Sequence, residues 1–481
     1  MNIHANPARL TAWLRRIARA IAAVWKRMIS ALAAVTFRPL RNTLSESQRM
    51  FLANVGIATL VAVVIAFFHQ NQWLVSLENT AMDLMMELNQ GLPRMSGGDV
   101  DNPLRFSYLD IDDRSFRAWN EPFHTPRDKL QKLIEYAASG DARLIVVDFD
   151  LSRAGIVAGH DASLARFLGE YGEDSELPPL ILVRNFYRTG SSDLEWIEIR
   201  PSFLDDVELS ANIHWAQPLF RATLGDGVVR HWHIVKSGCL NGQMMLLPAV
   251  QLIAAGLLSD VDSTSANHVA DLGRVGLHGC ANPTNIDANP GAAGRYRSDA
   301  ATDSSIDQRI IYTLPWQRPS PDLVTISAQL VTDSNRNLSV DLVRDSVVII
   351  GASHVDSGDI HRTPIGTMPG ALIIANAIKS LTLYGQINTP PAMLQWTSKL
   401  IIIFFAAWIF LSFRSLLGVV VAGTVILLIL VPVSFYFFKY GLWIDFALPL
   451  FAMLIHRAIA EYKGAQREAI EISKQYRGKV G

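Results

Sequence analysis

The stretch Asp345–Gly370, reading DSVVIIGASHVDSGDIHRTPIGTMPG, decides the fold class. Val347–Ile350 is an apolar, β-branched run between Asp345 and Gly351, the mark of a strand buried on both faces with a sharp exit. The exit is crowded with His354, Asp356, Asp359, His361 and Arg362, then Thr363-Pro364 and Pro369-Gly370. Ala371–Leu383 follows, with apolar residues at helical spacing among good helix formers. Strand, polar loop and helix make half of an α/β unit, and ligands in such folds sit beyond the carboxyl ends of the strands.

Upstream, the same alternation recurs. Phe106–Ile111, Ala142–Phe149 and Leu180–Val183 read as strands, and Arg127–Ala138 and Ala162–Glu170 as helices. Asp226–Val235 reads as an extended segment and Leu246–Leu258 as a helix. Residues 282–307, rich in Asn, Asp, Gly, Ala and Ser without periodicity, read as a solvated loop or disordered insertion. The expected class is an α/β extracytoplasmic domain over 70–392 with a mostly parallel sheet.

The flanks carry a membrane module. Met50–Val75 contains no Lys, Arg, Asp or Glu, and about twenty apolar residues span a ~30 Å hydrocarbon core, so 50–69 is expected to be an uncleaved anchor. Three further spans are expected within 393–456: Met393–Phe413, Leu416–Phe438 and Gly441–His456. Residues 1–48 place Leu10, Leu14, Ile17, Ile21, Val24 and Met28 at helical spacing among arginines, the pattern of a basic helix on anionic membrane lipid; a targeting segment or a helix packing on a partner are the alternatives. Arg414, His456 and Arg457 agree with cytoplasmic termini and a periplasmic domain in a bacterial inner membrane. Lys399 and Asp445 read as snorkelling charges or as an interhelical ion pair. Residues 457–481 read as a short helical tail.

Composition narrows the class. A formal net charge of −1 argues against nucleic acid as a partner, while 50% hydrophobic residues and a mean hydropathy of +0.21 suit a chain partly in lipid. Cys239 and Cys280 are too few for a disulfide scaffold; one bridge between them is left open.

Several separated motifs resemble the second class of CHASE domains, extracellular sensory domains associated with cyclases and histidine kinases. They are Ile111-Asp112-Asp113, Pro126-Arg127-Asp128, Gly140–Ala142, Val147-Asp148 and Asp226–Arg230. Ile350–Ala352, Asp359, Thr363-Pro364, Pro369-Gly370 and Asn376 complete the set. One span before the domain and three after it is the arrangement of that family, and the likeness covers about 50–460. The resemblance implies a dimer. It also implies an output domain after the last span, where this sequence has only a short tail, so an effector supplied in trans is expected. The basic N-terminus falls outside the family pattern.

If the sheet is parallel, Asp110, Asp112, Asp113, Asp148 and Asp150 gather at one rim with the His354–His361 loop. They read first as a structural polar network capping helices and turns, with Arg127 or Arg230 neutralising one of them, and second as a site for a cation or polar ligand. The candidate ligand-binding set is Asp110, Asp112, Asp113, Arg127, Asp148, Arg230, Asp359 and His361. His354, Asp356, Asp359 and His361 match no closed zinc motif, and no metal or other cofactor is expected. No nucleophile elbow, phosphate loop or HExxH pattern is present, and His231 and His233 on one strand face are weak by themselves; no enzymatic activity is expected. The expected role is a sensory subunit that detects an extracytoplasmic ligand and signals to a cytoplasmic effector. A scaffolding subunit of a membrane complex is the alternative.

Overall fold

The computed structural model describes residues 72–90, 104–155, 157–189, 196–205, 212–223, 225–240, 243–259, 277–279, 308–333, 338–387, 431–438 and 443, with a few isolated positions besides. The chain divides into two compact units. One comprises 1–69, 392–429 and 448–481 and lies almost wholly outside the described residues. With it go the surface helix, the anchor, most of the three terminal spans, the tail and Lys399; Asp445 and residues 282–307 are likewise outside. Among the described residues no helix is long and apolar enough to cross a membrane.

The other unit, 70–391 with 430–447, is the α/β domain. It opens with α1 (Gln72–Gln90), whose Leu74, Val75, Met82, Met85 and Met86 are buried at helical spacing. Six parallel strands then form the central sheet: β1 (Arg105–Ile111), β2 (Leu144–Val147), β3 (Leu180–Val183), β6 (Ile213–Ala216), β12 (Leu323–Ser327) and β13 (Ser346–Ala352). Their spatial order is β12-β1-β13-β2-β3-β6. The last strand in sequence therefore wedges between the first two. Both of its edges are paired and both faces covered, which is why Val347–Ile350 is apolar without alternation.

Helices cover both faces. The connections α3 (Arg127–Ser139) and α4 (Ala158–Glu173) pack together, and α6 (Ala328–Thr332) joins them against β1 and α3. Leu109, Ile111, Leu130, Leu133, Ile145, Val147, Val348 and Ile350 share the resulting core cluster. On the opposite face α5 (Val250–Leu258) and α7 (Gly370–Tyr384) pack against each other and on the sheet. Every residue of α7 from Ala371 to Leu381 is buried, as expected of a helix apolar nearly all round. Gly351 lets it come so close: a Cβ there would lie 2.4 Å from the Cβ of Ala371.

Two expectations need correction. A second sheet, mostly antiparallel, runs β11-β10-β9-β5-β4 through β4 (Phe186–Thr189), β5 (Trp196–Ile199), β9 (Val235–Leu240), β10 (Gln243–Pro248) and β11 (Leu277–Gly279). Leu246 and Leu247 belong to β10, so the helix begins only at Val250; ladder bonds to β9 override their helix propensity. The polar loop after β13 is instead a hairpin, β14 (Ile360–Thr363) with β15 (Gly366–Pro369), turning at Pro364-Ile365. A second hairpin pairs β7 (Phe220–Ala222) with β8 (Val229–Trp232), and a bridge from Val228 to Arg362 joins the two hairpins.

Candidate functional site

The register of β1, β13 and β2 sets the floor of the site. Asp110 pairs with Gly351, and Val147, just before Asp148, pairs with Ile350. Strand alternation sends Tyr108, Asp110 and Asp148 to the α7 face, opposite Leu109, Ile111 and Val147. Asp359 reaches the same place from the start of the β14–β15 hairpin. Its carboxylate accepts the Gly370 N–H at 3.1 Å, at the N-terminus of α7, and lies 2.8 Å from His361 Nε2. The same N–H also donates to the Asp359 carbonyl at 2.9 Å, so the carboxylate shares this donor and opposes the helix dipole.

Charge is unevenly borne in this group. Burial pushes Asp148 up to about 8, with the Asp359 charge adding and His361 opposing. Its side chain forms no hydrogen bond among the described residues. Burial likewise raises Asp110 to about 6, against a 2.8 Å hydrogen bond from Ser353. His361 is raised by its hydrogen bond to Asp359. Tyr108, fully buried, lies beside Asp110, its hydroxyl lowering the proton affinity of that carboxyl group.

Above this floor opens a cleft of about 1010 Å³, the size class of small-molecule sites. Asp148, Asp150, Asp359 and His361 line it with Arg127, Asn185 and a ring-rich wall that includes Phe116, Trp119 and Phe149. Phe116 stacks on His354 at 4.0 Å between centroids, and Phe123 stands at the rim, 79% exposed.

The candidate residues thus separate. Asp110, Asp148, Asp359 and His361 converge. Asp112 caps α2 (Asp113–Ala118): Oδ1 accepts the Ser115 N–H at 2.8 Å and the Ser327 hydroxyl at 3.0 Å. Asp113 accepts the Val355 N–H at 3.0 Å. Neither arginine neutralises a rim carboxylate, contrary to expectation. Arg127 pairs with Asp161 at 3.3 Å, and Arg200, not Arg127, meets Asp150 at 3.0 Å. Arg230 turns away from the cleft, towards Asp83 on α1 and Asp226, each at 2.7 Å. Among the described residues no group of three His, Cys, Asp or Glu side chains is placed to hold a metal ion. His231 is buried and held down to about 3, by burial first and then by Arg309, Arg221 and Arg230, so it stays neutral.

Sequence reasoning missed the other half of the Arg230 cluster. Arg309, 2% exposed, also donates to Asp83 at 2.7 Å and to the Asn79 side chain. From Arg309 the chain runs straight to α7: Asn376 Oδ1 accepts the N–H groups of Thr313 and Leu314 at 2.8 Å, and Ser380 Oγ accepts that of Ile311 at 3.0 Å. Segment 308–314 therefore straps α1 to α7. The spacing of Leu74, Met82, Met85 and Met86 was the signal for α1; nothing local announces its partners.

A doubly covered parallel sheet with a ligand-sized cleft at its carboxyl edge defines an α/β domain with a cleft where such folds place their binding sites. Residues 58–415 match the family model of the CHASE2 domain. The chain belongs to that family, whose domain is an extracellular sensory one. No curated protein and no solved structure matches it.

Proposed function

We propose that this chain is a membrane-anchored sensory subunit. Its periplasmic domain takes a small ligand in the cleft above Asp148 and Asp359, and the signal passes across the bacterial inner membrane to a cytoplasmic effector in trans. One observation carries the reading: Asp359 lines the cleft and caps α7, and α7 is strapped through 308–314 to α1. In sequence, α1 follows the apolar stretch at 51–68 and α7 precedes those at 393–456. A ligand that moves the Asp359 hairpin acts on both helices that lead to apolar stretches, which is the differential contact a two-state relay needs. Cys239 is disulfide-bonded, and Cys280 is the chain's other cysteine, which supports an oxidising compartment. In sequence, Ile459, Tyr462, Ala469 and Ile472 fall at helical spacing in 457–481, a pattern suited to a cytoplasmic partner.

The test is amide exchange on the full chain in lipid nanodiscs. Asp359→Asn is expected to speed exchange in 72–90, a helix it does not touch. Unchanged exchange in α1 with altered exchange at the start of α7 would show that the strap transmits nothing.

A further inference from the structure

The cleft has abundant ring surface and carboxyl groups but little positive charge. Phe116, Trp119, Phe123, Phe149 and Phe220 line it. Its one arginine, Arg127, is matched by Asp161, and Asp150 is matched by Arg200. His361 is engaged by Asp359 at 2.8 Å. That leaves Asp148, facing Asp359 and His361 on the hairpin and Tyr108 on β1, with no cation of its own beyond His361 among the described residues. Beneath it, on β1, Tyr108 and Asp110 are buried side by side, the hydroxyl lowering the proton affinity of the neighbouring carboxyl group. Buried carboxyl groups are normally hydrogen-bonded, and the Asp148 side chain has no donor among the described residues, so the floor is short of a donor there.

We propose that the cleft binds a small organic cation, its ammonium against Asp148 and Asp359 and its apolar body on Phe116, Trp119 and Phe149. This names the ligand class for the cleft and so rests on the sensory reading above. An ammonium supplies the donors the floor lacks, and aromatic faces attract cations through the ring quadrupole. A bare divalent ion would leave the rings unused, and among the described residues no group of three His, Cys, Asp or Glu side chains is placed to hold one. Binding favours the ionised form of Asp148, so a proton leaves the carboxyl as the cation enters; below the raised pKa, affinity climbs with pH.

The experiment is calorimetry and thermal unfolding of the full chain in nanodiscs with three cations (2-phenylethylamine, choline and spermidine). 2-Phenylethanol and phenylacetate serve as neutral and anionic counterparts. At least one cation is expected to bind and raise the unfolding temperature, releasing a proton at pH 7, while both counterparts do neither. Asp148→Asn, which keeps the side chain's shape, is expected to weaken that binding about tenfold or more. Equal binding of 2-phenylethylamine and 2-phenylethanol, binding unaffected by Asp148→Asn, or no binding of any of the three cations at about 10 mM overturns the proposal. If a counterpart binds instead and Phe149→Ala abolishes it, the cation class is wrong and the sensory cleft stands. If nothing binds and Asp359→Asn leaves α1 unchanged, both readings fall.

Discussion

Asp359 and Gly370 fit each other at the N-terminus of α7: the backbone N–H of Gly370 meets Asp359 Oδ2 at 3.1 Å, and a Cβ on residue 370 would stand 2.4 Å from that oxygen. The absence of a side chain lets the carboxylate reach the helix end. Gly370→Ala is expected to expel the carboxylate, costing about 1 kcal/mol by thermal denaturation, since the Asp359 carbonyl still accepts the N–H at 2.9 Å and only the second acceptor and its charge are lost. Asp359→Ala should match it, and the double variant should cost little more than either. Additive losses would mean the two residues act separately.

Asp83 carries a heavier burden, since it answers two buried arginines. Burial pulls Arg309 down to about 10 although Asp83 works the other way, while for Arg230 the hydrogen bonds it donates to Asp226 and Asp83 outweigh burial and raise it. Asp83→Ala leaves Arg309 with no carboxylate and Arg230 with Asp226 alone, and is expected to cost about 3 kcal/mol or more, with faster amide exchange throughout 72–90. The Arg344–Asp341 pair, shorter at 2.6 Å but more than half exposed on both sides, is expected to change stability by under about 0.5 kcal/mol when broken. Equal losses at the two places would contradict this reading of Asp83.

The carboxyl groups of the floor set a pH dependence. Asp110 and Asp148 bind protons more tightly folded than unfolded, as does His361. The folded state therefore holds more protons between about pH 4 and about 8, and stability falls as pH rises through that window. Asp150 and Asp226, held low by hydrogen bonds and arginines against the cost of burial, act in the opposite sense and below it. Asp148→Asn is expected to raise the unfolding temperature at pH 8.5, to leave it nearly unchanged at pH 4, and to flatten the slope between. A variant with the wild-type slope would place the titration elsewhere.

The disulfide at Cys239 gives an independent readout. Cys239→Ser is expected to lower stability by about 2–4 kcal/mol and to abolish the mobility shift on reduction of the unfolded chain. Retention of that shift would assign it to something other than this bridge.

What sequence made legible follows the range of the interactions. Val347–Ile350 announced a strand because burial on both faces leaves a continuous apolar run, and Asp110, Asp148 and Asp359 could be placed together because parallel strands share one carboxyl edge. The second sheet was not legible: Phe186–Thr189 and Trp196–Ile199 are four residues each, too short for a period to show. Arg230 was misassigned for a related reason. Its motif, Asp226–Arg230, is local, but its other carboxylate, Asp83, lies 147 residues away in sequence. Asp112 looked like its neighbours and differs only in finding the Ser115 N–H three residues on. Which carboxyl group caps and which stays unpartnered is a property of packing.

The relay is tested most directly by site-specific photo-crosslinking from residues 457–481 of the full chain in native membranes, wild type against Asp359→Asn. The account predicts a discrete cytoplasmic protein crosslinked to the tail, in a yield that the substitution in the outer domain changes. Crosslinks only to further copies of the same chain, or to a partner whose yield ignores residue 359, would contradict it and favour a scaffold.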